Sequence, residues 1–170
     1  MHIKTQLRVM LVAATMVGLL ARRPGRAQES GIAVGTVAPA AMVQAMDGTP
    51  VDIATYYGDM PVAMEFWATW CPLCRVLEPQ FQAAMQKYAG KVRFIGVGVA
   101  ANQTAERQST YLRKREMAGE YAFDASDAAR KPFAAPHTSF VVVIDRNRRV
   151  VYTGGGSDQD IDAAVRMGLR

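Results

Sequence analysis

The only two cysteines of this 170-residue chain, Cys71 and Cys74, are separated by two residues. They lie where an apolar, strand-like run (Pro61–Trp67) turns into a helix-like segment. A cysteine at the start of a helix is close to unpaired amide N–H groups and to the positive end of the helix dipole, which favour thiolate over thiol. The second sulfur would lie one helical turn later, within reach of the first. This arrangement suits thiol–disulfide exchange, in which one thiolate attacks and the other thiol resolves the mixed disulfide.

Two other chemistries of the cysteine pair stay open. A static structural disulfide would close only a small loop and would restrict the unfolded chain little. A metal site would need further ligands, and of the two histidines, His2 lies in an N-terminal leader, which leaves His137. The P-x-x-x-T-x-x-C pattern of peroxiredoxins is absent around both cysteines, which argues against a peroxidase. We therefore predict a redox-active pair without metal or cofactor, with Cys71 as the exposed nucleophile and Cys74 as the more buried resolving thiol.

Glu65 is a second candidate for chemistry, because it interrupts the otherwise apolar strand Val62–Trp67 six residues before Cys71. A desolvated carboxylate without a cationic partner has a raised pKa, so it can exchange protons near neutral pH. We predict that Glu65 takes the proton from Cys74 when this thiol attacks the mixed disulfide. The alternative is an outward-facing glutamate at a strand edge.

The hydrophobic pattern predicts the elements that position these residues. Short apolar stretches flank Asp47-Gly48, a dipeptide that favours a tight hairpin turn. Apolar residues at helical spacing between Pro72 and Tyr88 predict a helix that ends at Gly90. The predicted order is β-β-β-α-β-α-β-β-α, and its later members are strands at Val92–Val99, Thr138–Ile144 and Arg149–Thr153, a helix at Thr104–Met117, and a last helix with Ser157 or Asp158 as N-cap.

These motifs resemble the thioredoxin superfamily, and the wider pattern is similar to its extracytoplasmic TlpA/ResA/DsbE-like branch. The segments that carry the resemblance are Gly35–Pro39, Asp47-Gly48, Glu65–Cys74 and Ala135–Val141. The likeness covers roughly residues 33 to 168. It implies an α/β fold, a thioredoxin-like three-layer sandwich with a central mixed β-sheet and an added N-terminal β-hairpin.

The resemblance also implies substrate-binding residues around the cysteines. Pro136 matches the proline that in this superfamily has a cis peptide bond, faces the disulfide and pairs its backbone with substrate. Ala135 and His137 flank it, and His137 would then lie beside the cysteines, where it could modulate thiolate charge. The alternative for His137 is a solvent-exposed side chain without a role. Next to the first cysteine, Trp70 and Pro72 would border the site, with Trp70 as an apolar rim for docking substrate.

Residues 1–27 form a basic, partly apolar leader. They hold five basic residues and no acidic one, and the rest of the chain carries 15 of each. The formal net charge of +5 therefore belongs to the leader, which argues against nucleic acid as a partner. The apolar run Val9–Ala21 is too short to cross a hydrocarbon core of about 30 Å, and small residues precede Gln28, which indicates a secretory signal peptide. Because arginines lie between this apolar run and the cleavage site, the alternative is that the leader stays uncleaved and anchors the protein to the membrane.

Residues 28–170 are predicted to form one thioredoxin-like domain. The leader would direct it to the periplasm or another extracytoplasmic compartment, where two cysteines can cycle. The resemblance implies a reductase of protein disulfides, with the cysteines of apocytochrome c or of copper sites as substrates and a membrane protein as electron donor. Two alternatives remain: an oxidase or isomerase that donates disulfides, and a copper-binding chaperone that uses Cys71, Cys74 and His137.

Overall fold

The computed structural model describes residues 31–170, so the leader predicted over residues 1–27 lies outside the described residues. The elements in chain order are β1 (Met42–Ala45), β2 (Pro50–Asp52), a 3-10 turn (Ile53–Tyr56), β3 (Val62–Trp67), α1 (Pro72–Lys87), β4 (Arg93–Val99), α2 (Ala105–Lys114), β5 (Glu120–Asp124), β6 (Phe140–Ile144), β7 (Val150–Gly155) and α3 (Ile161–Gly168).

The strands form one mixed sheet in the order β2-β1-β5-β4-β3-β6-β7. Strands β3, β4 and β5 run parallel, and α1 and α2 connect them, since a parallel pair needs a crossover. The β1–β2 hairpin joins β5 antiparallel, and β6 and β7 extend the other side antiparallel. The predicted α/β fold with a central mixed sheet and an added N-terminal hairpin is confirmed.

Apolar side chains lie on both faces of the sheet, because helices pack on both faces and bury its central strands. All residues of β3 and β6 are buried. On one face, Leu77 of α1 and Val165 of α3 belong to one apolar cluster with residues of the sheet. On the other face, Leu112 of α2 belongs to a second cluster, which also holds Phe66 and both cysteines. Helices on both faces of the sheet make the three layers.

The sequence interpretation missed one strand and misplaced three helix ends. It omitted β5, which begins and ends with an acidic residue, so that its apolar run is only three residues long (Tyr121–Phe123). Helix α1 ends at Lys87 with Tyr88 as its C-cap, short of the predicted end at Gly90. Helix α2 ends at Lys114 and not at Met117, since Glu116 has a φ of 51° outside the helical region. Helix α3 has Asp160 as its N-cap, with its carboxylate accepting from the Ala163 N–H at 2.8 Å, in place of the predicted Ser157 or Asp158.

Within residues 31–170, we find no helix with the length and apolar character needed to cross a membrane.

Candidate active site

The cysteine pair lies at the N-terminus of α1. Cys71 is the N-cap residue, and Pro72 is the first residue of the helix, where its missing N–H removes no helical hydrogen bond. The Cys71 sulfur accepts a hydrogen bond from the Cys74 backbone N–H at 3.1 Å. The two cysteines form a disulfide, with their Cα atoms 5.4 Å apart. The helix thus directs an amide donor at the first sulfur, as the sequence predicted.

The predicted difference in exposure between the cysteines is wrong for this disulfide form. Cys71 is 2% exposed and Cys74 is 6% exposed, so the first cysteine is the more buried one. Cys74 also lines a small cavity, and Cys71 does not.

Gln103, which the sequence interpretation missed, holds the turn between β3 and α1 in place. Its side-chain oxygen accepts from the Thr69 N–H at 2.9 Å, and its amide nitrogen donates to the Val99 carbonyl at 2.7 Å. The Trp70 indole N–H donates to the Ala101 carbonyl at 2.7 Å, in the same loop after β4. A glutamine in a loop carries no sequence signal for this role, because the bonds depend on how β3 and β4 pair.

Glu65 lies inside the sheet, as predicted. Its strand β3 is flanked by β4 and β6, and Glu65 pairs in register with Gly96 and Val141. The residue is 7% exposed, and burial raises the pKa of its carboxyl to about 8, with a further contribution from the charge of Glu78. Its Oε1 has no hydrogen-bond partner within residues 31–170. The alternative, an outward-facing glutamate at a strand edge, is excluded.

Glu65 and Cys74 line one cavity of about 20 Å³. The other lining residues come from β3, α1, α2, β4 and β5, from the turn before α1 and from the loop after α2: Trp67, Ala68, Arg75, Glu78, Phe81, Gln82, Gly96, Tyr111, Met117 and Tyr121. The cavity therefore brings the Glu65 carboxyl group and Cys74 to the same small space.

The predicted cis bond before Pro136 is wrong, since residues 31–170 contain no cis peptide bond. The Ala135 N–H donates to the Arg130 carbonyl at 3.1 Å, and the Arg130 guanidinium donates to the Ala135 carbonyl at 3.1 Å. Arg130 is itself fixed by two hydrogen bonds to Asp127, at 2.7 and 2.9 Å. This turn engages both backbone groups of Ala135 within the protein, and the trans isomer is the one that an X–Pro bond ordinarily adopts. Ala135 still belongs to the apolar cluster that holds the cysteines.

His137 and Pro136 are both exposed. The His137 Nδ1 lies 2.8 Å from the Thr138 carbonyl oxygen, and its ring meets the Phe140 ring edge-on at 6.2 Å between centroids. Within residues 31–170, no hydrogen bond or ring contact joins His137 to a cysteine. In the same part of the chain, no group of three or more histidine, cysteine, aspartate or glutamate residues is placed to hold a metal ion.

An exposed apolar surface borders the disulfide. Trp70 is 37% exposed, and on the first turns of α1, Leu73 and Val76 are 44% and 60% exposed. Trp67, by contrast, is buried in the core. The position of Trp70 fits the predicted apolar rim, and Pro72 lies beside it at the start of α1.

Comparison with known proteins defines the class. Residues 33–166 match the Redoxin family model. Thioredoxin C-2 of Corynebacterium nephridii is 30% identical over 90 residues, which are 52% of this chain and 81% of that protein. Together with the C-x-x-C pair at a helix N-terminus, these matches define a thioredoxin-like thiol–disulfide oxidoreductase. The chain belongs to the Redoxin family, within the thioredoxin superfamily.

Solved structures share the fold. A protein of Chlorobium tepidum that is assigned as a thiol:disulfide interchange protein DsbE superposes with a TM-score of 0.69 at 22% identity, covering 81% of this chain and 96% of that one. StoA of Bacillus subtilis superposes with a TM-score of 0.62 at 16% identity, covering 75% of this chain and 96% of that one. Both similarities support the thioredoxin-like fold.

Proposed function

We propose that this oxidoreductase works outside the cytoplasm as a reductase of protein disulfides, using Cys71 and Cys74 as a dithiol/disulfide couple. One observation supports reduction, and not formation, of substrate disulfides: Glu65 and Cys74 line the same cavity. A buried thiol beside a carboxyl group forms its thiolate reluctantly, because burial disfavours the charge and the carboxylate, once ionised at higher pH, repels it as well. A couple whose thiolates are weakly stabilised has a stable disulfide and hence a more negative reduction potential.

The Pro72-Leu73 dipeptide between the cysteines supports the same direction. Neither side chain offers a cation or a hydrogen-bond donor, and within residues 31–170 the one hydrogen bond to the Cys71 sulfur comes from the Cys74 amide of its own helix. A strong disulfide donor needs a more strongly stabilised thiolate than this. The proposed substrates are protein disulfides, with apocytochrome c cysteines or copper-site cysteines as the candidates that the family resemblance implies. Substrate would dock on Trp70 and on the exposed Pro136 and His137.

The proposed location depends on the leader. A signal peptide over residues 1–27 would bring the domain to the periplasm or leave it anchored to the inner membrane. The fold is shared with the Chlorobium tepidum protein that is assigned as the thiol:disulfide interchange protein DsbE. A reductant in an oxidising compartment has to be reduced again after each turnover, so the proposal includes a membrane protein as electron donor.

The reduction potential tests the proposed direction. We would equilibrate the protein with glutathione redox buffers and quantify reduced Cys71 and Cys74 by alkylation and mass measurement, with a Cys71→Ser/Cys74→Ser variant as the blank. We expect a potential more negative than about −200 mV. A value near about −120 mV would refute the reductase and support the alternative, an oxidase that donates disulfides.

A further inference from the structure

The cavity beside Glu65 has room and partners for one water molecule. A water molecule needs about 10–15 Å³ and two to four polar partners, and this cavity has a volume of about 20 Å³. Among residues 31–170, two buried polar atoms of its lining residues have no hydrogen-bond partner in the protein, the Glu65 Oε1 and the Trp67 Nε1. Gly96 keeps this space open, since a Cβ there would lie 2.9 Å from the Trp67 Nε1.

Glu78 connects this cavity to the protein surface. It lies four residues after Cys74 on α1, so the two side chains share one face of the helix. Glu78 lines the same cavity as Cys74 and Glu65, yet its side chain is 19% exposed. Its Oε1 accepts a hydrogen bond from Arg115, just beyond the end of α2, at 2.8 Å. This ion pair fixes a second carboxylate where the cavity approaches solvent.

We infer that Glu78, held by Arg115, carries protons between the buried Glu65 and bulk solvent through this cavity. The inference rests on the proposed role of Glu65 as proton acceptor for Cys74. Glu78 touches neither substrate nor sulfur in this scheme and acts through Glu65.

The proton balance of the resolving step shows why such a path is needed. The Cys74 thiol gives its proton to the Glu65 carboxylate, and the resulting thiolate attacks the Cys71 sulfur of the mixed disulfide. The Cys71–Cys74 bond forms, the bond to substrate breaks, and substrate leaves as a thiolate. Glu65 is then protonated inside the sheet and has to lose that proton, which passes by a water molecule and the Glu78 carboxylate to solvent.

The other titratable groups at the cavity do not offer this route. From β5, Tyr121 has its pKa raised to about 12 by burial, so it stays protonated at neutral pH. Arg75 from α1 carries a guanidinium group, which cannot accept a proton. Arg115 is bound by Glu78, and this contact raises the pKa of Arg115 further. Tyr111 from α2 completes the set of titratable groups that line the cavity with Cys74 and the two glutamates. Glu78 is therefore the carboxylate placed to exchange protons with Glu65.

The test separates attack from resolution in a single turnover. Reduced protein is mixed with 5,5′-dithiobis(2-nitrobenzoate): the attack by Cys71 releases the first thionitrobenzoate, and the attack by Cys74 releases the second. In dilute buffer at pH 7–8, we expect Glu78→Gln to slow the second phase about tenfold and to leave the first unchanged. Added imidazole should restore the second phase, because a small diffusible base replaces a lost proton path but does not repair a damaged fold.

Two matched variants complete the design. Glu106→Gln removes an exposed glutamate on α2 that does not line the cavity and should behave as wild type. Glu78→Asp keeps a carboxylate and should keep more of the second-phase rate than Glu78→Gln does.

Other results would contradict either the role of Glu78 or the role of Glu65. A Glu78→Gln protein with a wild-type second phase in dilute buffer, or with a slow phase that imidazole does not restore, overturns the role of Glu78. Glu65→Gln measured in the same way keeps the two proposals apart. If Glu65→Gln is slow while Glu78→Gln is normal, only the proton path is refuted, and if Glu65→Gln is normal, the proposed role of Glu65 is refuted.

Discussion

At the scale of single residues, the two cysteines differ in their place on α1. Cys71 caps the helix and receives an amide hydrogen bond on its sulfur, whereas Cys74 lies within the first turn and faces the cavity. The cap position favours the thiolate of Cys71. We therefore expect Cys74→Ser to accumulate mixed disulfides with protein substrates, because Cys71 attacks and no second thiol resolves the product.

Trapped complexes would be counted by non-reducing electrophoresis after rapid acid quenching of a cell extract. Cys71→Ser is the matched control and should trap few complexes. If both variants trap equally, the assignment of nucleophile and resolving thiol does not stand.

Burial of Glu65 predicts how the resolving step depends on pH. Its pKa is raised to about 8, so the carboxyl is mostly protonated at pH 7 and becomes a proton acceptor as the pH rises. We expect the second phase of the thionitrobenzoate assay in wild type to accelerate through a midpoint near pH 8. Glu65→Gln, which has the same shape without an ionisable group, should be at least about tenfold slower at pH 8.5 and should lose this midpoint. Rates that match wild type from pH 6 to 9 would make Glu65 a structural residue only.

At the scale of secondary structure, the start of α3 offers a direct test of which residue caps the helix. The Asp160 carboxylate accepts from the Ala163 N–H, whereas the Asp158 carboxylate accepts from the Ser157 hydroxyl at 3.0 Å. Asp160→Ala should lower the free energy of unfolding by about 1 kcal/mol. Asp158→Ala is the matched control and should change it by less than about 0.5 kcal/mol. Urea unfolding of both variants measures the difference, and equal losses would contradict the observed cap.

Strands β3 and β4 and helix α1 could be predicted because their patterns are strong. Each strand is a nearly continuous apolar run, and α1 has apolar residues at helical spacing after a C-x-x-C pair. Strand β5 could not be predicted in this way, since its five residues alternate little and its acidic ends suggest a loop. It is a strand because it pairs with both β4 and β1, which is tertiary information.

Some residues of the candidate site could likewise be predicted from the sequence, and others could not. The cysteines and Glu65 stand out by residue type and by their place in a pattern, and the structure brings Cys74 and Glu65 to one cavity. Gln103 and Arg130 were missed because each acts through hydrogen bonds to backbone groups, Gln103 in a distant turn at Thr69 and Arg130 in its own turn at Ala135, and neither residue type signals such a role. The cis bond before Pro136 was predicted from the resemblance to the thioredoxin superfamily. The bond is trans here, in a turn that Arg130 closes on Ala135.

At the scale of the whole molecule, Glu65 also links stability to pH. Its pKa in the folded protein, about 8, is above its ordinary value of 4.5. The folded state therefore binds this proton more tightly than the unfolded state does. Its contribution to stability is fully present below pH 4.5 and is lost as the pH rises toward 8.

We expect Glu65→Gln to be more stable than wild type at pH 9, by on the order of a few kcal/mol, and the difference to shrink toward pH 5. Urea unfolding of the two disulfide-bonded proteins at several pH values measures this difference. Other titrating groups are common to both proteins and cancel. A difference that does not change with pH would contradict the raised pKa.

The two outer strands of the sheet are β2 and β7. Strand β2 has three residues and begins with a proline, which has no N–H to donate. The segment before β1 is hydrogen-bonded to the first residue of β7. Gly35 N–H donates to the Val150 carbonyl at 2.7 Å, and Val150 N–H donates to the Thr36 carbonyl at 2.9 Å. A free strand edge is a template for edge-to-edge association of protein copies and for aggregation. Because residues 35–37 cover the start of β7, we expect this short segment to hinder edge-to-edge association at that end of the sheet.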